Sequence, residues 1–248
     1  MKNLINVITI CMLILIPIKL IGQLKAFDYD KNLPSFTNYY DKNFGVNITP
    51  KKEFKDLNYY FVIWGATNKK IKIGGGASLC GPVFTSRNAD FMFAFADGSS
   101  SFIDDKIDFG HNYDAPRYPV VSILFEIETN LGIQEIGKHR KADDVPKFDF
   151  NKYVTTISGD KPRIMFNADT IYVYNFPEPN NVFFSDKSLE KMRQEQFPYC
   201  VGVYITKKDR VTMGFKLFFS ETGYKKRWEY FEMLSQQVWY RDDFKHEF

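Results

Sequence analysis

The chain has 248 residues, with 44% hydrophobic, 25% charged and 17% aromatic side chains and a formal net charge of +3. That balance excludes a largely disordered chain and a collagen-like fibre. Three cysteines and three histidines exclude a disulfide-dense miniprotein, a four-cysteine zinc site and a His-rich metal centre.

Lys2 gives a positive start, Val7 to Ile18 is apolar apart from Thr9 and Pro17, and Lys19 precedes Leu20-Ile21-Gly22-Gln23. A basic start, a short apolar run and a small residue before a polar one predict a cleavable secretory signal peptide over residues 1–22. The run falls short of the roughly 20 residues of a transmembrane helix, so no stable membrane insertion is expected after cleavage. Leu20-Ile21-Gly22 resembles the opening of a bacterial lipoprotein box, but Gln23 stands where the acylated Cys is required. The mature chain, residues 23–248, is expected to be a single α+β domain, not a lipoprotein, in the periplasm or outside the cell. Loss of Lys2 and Lys19 lowers the net charge to +1, which argues against nucleic acid or an anionic membrane as partner.

Residues 23–48 read as an extended lead-in. Thr49-Pro50 predicts a short helix to about Asp56. Tyr59 to Trp64 predicts a strand, Asn68 to Lys70 a turn, and Ile71 to Ile73 a return strand ending at Gly74-Gly75-Gly76. Phe91-Met92-Phe93-Ala94-Phe95 predicts a strand with three phenylalanines on one face and smaller residues on the other. Residues 98–118 read as a long loop, and Val120 to Ile127 as a near-continuous apolar strand. Arg163 to Phe176 predicts a hairpin turning at Asn167-Ala168-Asp169. Ser185-Asp186 caps a helix over residues 187–196, and Tyr199–Thr206 with Val211–Phe219 predicts a second hairpin. Tyr224, Trp228, Phe231, Leu234 and Val238 recur at helical period, so a C-terminal amphipathic helix should pack on a largely antiparallel sheet, with a frayed tail after Tyr240.

Cys11 leaves with the signal, so Cys80 and Cys200 remain. A disulfide between them would close a loop of about 120 residues and contribute roughly 4–5 kcal/mol. Two buried thiols and a catalytic Cys80 are the alternatives. The cluster Gly74-Gly75-Gly76-Ala77-Ser78-Leu79-Cys80-Gly81 fails the spacing of both phosphate-loop and dinucleotide fingerprints and reads as a turn or bulge. Cys80 or Ser78 with His111 and Asp114 would supply the nucleophile, base and orienting acid of a hydrolase. Ser78 lacks the second glycine of a nucleophile elbow, because Cys80 stands there. The acidic loop of Asp104, Asp105, Asp108 and Asp114 does not match an EF-hand. No metal site and no cofactor is predicted.

Tyr29, Phe36, Tyr39, Tyr40 and Phe44 lie in a polar segment. Aromatics in polar surroundings form protein or carbohydrate contact surfaces, since they bury much area with few rotors lost; a segment that wraps the domain with aromatic anchors is the favoured reading of the two. The last fifty residues, Tyr199–Thr206, Val211–Phe219 and Tyr224–Trp239, resemble the ending of the PsbP/Mog1/DcrB-like group of small α/β sandwich proteins. That resemblance implies a non-catalytic binding or chaperone-like module. With the catalytic motifs failing on spacing and aromatic-rich surface candidates present, the expected function is an exported binding protein acting through protein–protein contact, in one version an immunity-type inhibitor of an envelope-targeted toxin. A secreted Cys/Ser hydrolase and a carbohydrate- or surface-binding module are the alternatives.

Overall fold

A computed structural model describes residues 32–60, 62–66, 77–96, 118–133, 145–208 and 210–244. All belong to the second of two units of the chain, Lys31–Phe248. The expected signal peptide, Tyr29, the expected turn at Asn68 to Lys70, the expected return strand, and His111 and Asp114 lie outside the described residues.

The fold is α+β, built on a large antiparallel sheet. Its strands are β2 (Phe54–Asp56), β3 (Val62–Ala66), β4 (Ala77–Ser86), β5 (Phe91–Ala96), β6 (Val154–Ile157), β7 (Thr170–Asn175), β8 (Val182–Phe184), β9 (Tyr199–Thr206) and β10 (Met213–Phe219). The order is β6-β7-β9-β10-β5-β4-β3-β8, with β2 also on β4, and every pairing is antiparallel. β1 (Val46–Ile48) and β11 (Val238–Tyr240) form a separate two-stranded sheet. β4 carries one extra residue between Cys80 and Val83. The bulge falls at Gly81-Pro82, where an unpaired backbone suits both residues. It also lets a ring approach: a Cβ on Gly81 would stand 2.7 Å from the Phe36 ring.

Alternation along β5 and β10 gives the sheet two apolar faces. Phe91, Phe93, Phe95, Phe215, Leu217 and Phe219 cover one, and Met92, Ala94 and Phe218 lie on the other. The first face is covered by α1 (Leu33–Phe44), α4 (Asp160–Phe166) and α7 (Arg227–Ser235). The second packs against α2 (Tyr118–Leu131) and α5 (Lys187–Gln196), through Ile123, Ile127 and Leu189. Two shorter helices complete the set: α3 (Phe150–Tyr153) leads into β6, and α6 (Glu221–Lys225) follows β10 and precedes α7.

Six local expectations are corrected. The extended lead-in contains α1. Asn32 caps it by accepting from Ser35 N at 2.9 Å, and Gly45 ends it at φ +60°. Residues 49–56 form a turn and β2 instead of a helix. Val120 to Ile127 is helical: an unbroken apolar run does not distinguish a buried strand from a buried helix, and α2 runs for 14 residues. Arg163 to Phe176 is helix then strand, because Asn167 is the left-handed cap of α4 at φ +53°. The C-terminal helix breaks into α6 and α7, and Val238 enters a strand against β1. The tail beyond it is tied down, with Arg241 2.8 Å from Asp41 and Asn167 Nδ2 donating to Asp242 Oδ1 at 2.6 Å. The helix over 187–196 stands as read, with Asp186 accepting from Ser188 N and Leu189 N.

Candidate functional site

One row of side chains crosses the α2-facing side of the sheet: Tyr174, Gly202, Lys216, Ala94 and Val83, from β7 to β4. Lys216 is fully buried there, and the two smallest residues of the row flank it. Glu126 descends on it from α2, with its two oxygens 3.1 and 3.0 Å from Lys216 Nζ. The ammonium also donates to the Tyr174 hydroxyl at 2.7 Å. Tyr174 in turn donates to Glu126 Oε2, and Tyr204 donates to Glu126 Oε1 at 2.9 Å. Nζ lies 4.6 Å from the Trp64 ring centroid and 4.8 Å from that of Tyr204. Burial, then the neighbouring Glu126 charge, pushes the Tyr174 hydroxyl well above its ordinary range.

This is a closed ionic constellation. A lone charge in such surroundings costs several kcal/mol, and a geometrically complete pair offsets that cost. Each acid oxygen and the ammonium finds a partner inside the group, which pins α2 to the centre of the sheet. The sequence reading missed it, because Lys216 and Glu126 look like ordinary surface charges. The available signal was a lysine centred in an otherwise apolar strand.

The expected sites fare differently. Phe36 is 0% exposed and Tyr40 is buried, so neither offers a contact surface: they pack α1 on Phe95 and on each other. Tyr39 is half-buried against Tyr40 and Phe44. Among these residues the anchoring reading is the one that fits.

Ser78 and Cys80 lie in β4, while the expected partners His111 and Asp114 lie outside the described residues. Cys80 does not reach Cys200. Cys80 shares a row with Ala96, Gly214 and Tyr204, three strands from β9, and Cys200 is buried four residues further along β9. With strands about 4.8 Å apart and a rise of about 3.3 Å per residue, the two Cα atoms stand on the order of 15–20 Å apart. A disulfide needs less than about 7 Å, so the expected Cys80–Cys200 bridge is corrected. Among the described residues no group of three His, Cys, Asp or Glu side chains is arranged to hold a metal. Nor is any described helix long and apolar enough to cross a membrane.

The displayed aromatics lie elsewhere. Tyr199 and Tyr224 stack at 4.6 Å, Arg227 sits 4.6 Å over the Tyr224 ring, and Trp228 follows, 43% exposed. Arg227 is held by donating to Tyr224 O at 3.0 Å, and Tyr224 by donating to Asn175 Oδ1 at 3.1 Å. Trp228 and Arg227 rim a small pocket of about 100 Å³ that reaches Thr155, Asn175 and the buried Leu217. A wider open groove of about 560 Å³ lies between the Ser86–Asn88 turn and α7, with Lys52, Arg87 and Lys226 against Glu53 and Glu229.

No family model, curated protein or solved structure matches the chain. In the structure the last fifty residues run β9, β10, α6 and α7, followed by β11.

Proposed function

We propose that this chain is an exported, non-catalytic binding protein that acts through protein–protein contact on the α7 face. The Tyr199–Tyr224–Arg227–Trp228 stack carries the reading. Tyr, Arg and Trp are the residue types that concentrate binding energy at protein interfaces, most of all when they are already rigid before the partner arrives. Here the stacking and the two hydrogen bonds hold the side chains in place, while Trp228 keeps a large area open to solvent. An immunity-type inhibitor of an envelope-targeted toxin is the concrete version of this proposal.

The test is affinity capture from an envelope fraction with residues 23–248, run beside the Trp228→Ala variant. The proposal expects a protein retained by the parent and lost by the variant, with the variant still folded by circular dichroism. Identical recovery with both chains would contradict it.

A further inference from the structure

The large sheet ends at β8 on one side and at β6 on the other, and the two ends are finished differently. β8 is closed by its own helix: Phe184 N donates to Glu190 Oε2 at 2.9 Å, and Arg193 holds that carboxylate from behind at 2.7 and 2.9 Å. β6 pairs with β7 along one side, and among the described residues no strand pairs with the other. Its middle residues, Thr155 and Thr156, are exposed. An open edge presents a row of backbone donors and acceptors, which only an extended chain can satisfy in full.

The same edge borders the pocket beside Trp228, since Thr155 is one of that pocket's walls. The pocket is lined by polar Thr155, Asn175 and Arg227 together with apolar Leu217, Phe231 and Trp228, and Arg227 has no carboxylate partner among the described residues. In an added strand, residues i and i+2 point to the same face. An apolar side chain there can enter the pocket while an acidic one two positions away reaches Arg227. We propose that the partner docks by adding an extended segment to β6, with an apolar side chain in the Trp228 pocket and a carboxylate on Arg227. This deepens the protein-binding reading and rests on it.

The probe is a capped, mostly threonine peptide of about nine residues carrying a leucine and a glutamate two positions apart. It is titrated into the folded chain while backbone amides and the Trp228 indole are followed by NMR. The proposal expects slowed amide exchange within Val154–Ile157 and a shifted Trp228 signal. Thr155→Lys, which places a charge in the pocket wall, and Trp228→Ala should each weaken binding roughly tenfold. Glu195→Ala, on α5, should leave it unchanged. Absence of binding, binding with β6 amides unprotected, or pairing of β6 with a second copy of the chain would each overturn it. If a protein is captured through Trp228 while the β6 amides stay unprotected, strand addition falls and the protein-binding reading survives. If the peptide protects β6 but no protein is captured, the reverse holds.

Discussion

The ring of Tyr174 lies across Gly202. A Cβ on Gly202 would stand 2.0 Å from Tyr174 Cζ. The glycine is thus what allows the Tyr174 hydroxyl to reach across β9 to Lys216 on β10. Gly202→Ala should force the ring aside and destabilise the fold by about 1–3 kcal/mol, as overpacking does in a filled core. Urea denaturation checks this. A midpoint unchanged from the parent would show that the ring has room to move.

Lys216 and Glu126 should behave as a unit. Lys216→Met leaves the Glu126 carboxylate buried without its cation and should cost about 3–5 kcal/mol. Adding Glu126→Leu removes the orphaned charge, so the double variant should recover much of the loss. A double-mutant cycle in chemical denaturation measures the coupling. Additive losses would mean that the pair is not mutually compensating.

Alkaline pH should unfold the protein through its buried tyrosines. Burial raises Tyr174, with the Glu126 charge adding to it, and burial raises Tyr240, whose hydroxyl donates to the Ile205 and Val211 carbonyl oxygens. A folded-state value above the unfolded value of about 10 means that the contribution is fully present below that pH and fades as pH rises from there. Stability should then fall by up to about 1.4 kcal/mol per pH unit for each tyrosine. Tyr174→Phe and Tyr240→Phe should each flatten the slope above pH 10, whatever their cost at neutral pH. Denaturation midpoints between pH 8 and pH 11.5 decide it, and equal slopes in parent and variants would contradict it.

The closed edge makes the opposite prediction at acid pH. Burial works to raise Glu190, but the Arg193 hydrogen bonds, the Phe184 amide and the Arg193 charge outweigh it and hold the carboxyl below its ordinary range. Its contribution is therefore present above the unfolded carboxylate value of about 4.3 and lost as pH falls through the lower folded value. Glu190→Ala strips the cap from Phe184 N and the partner from buried Arg193, and should cost about 1–3 kcal/mol. The deficit should shrink towards acid pH, and a pH-independent deficit would rule out the linkage.

Legibility from sequence followed local signals. β5, β9, β10 and α5 could be read because alternation, turn residues and an Asp186 cap are local. α2 was misread because its apolar residues ring the helix, leaving no periodic stripe. α4 was misread because Asn167 suits a hairpin turn and a helix cap alike. The Cys80–Cys200 pairing was undecidable without register, since strand order sets their separation. The Lys216 constellation gathers residues from α2, β3, β7, β9 and β10, and no spacing in the chain announces it. Tyr224 and Trp228 are visible in the sequence as members of an apolar stripe, and Arg227 is not. The partial display of this stretch to solvent, with Trp228 43% exposed beside the sheet residues Thr155 and Leu217, is a tertiary feature that no local spacing announces.

The most direct measurement places a photo-crosslinking phenylalanine analogue at residue 228 of the chain, with the same analogue at Lys191 on α5 as the comparison. The account predicts a discrete protein adduct from position 228 that is missing from position 191. No adduct at 228, or the same adducts from both positions, would contradict a binding role for this face.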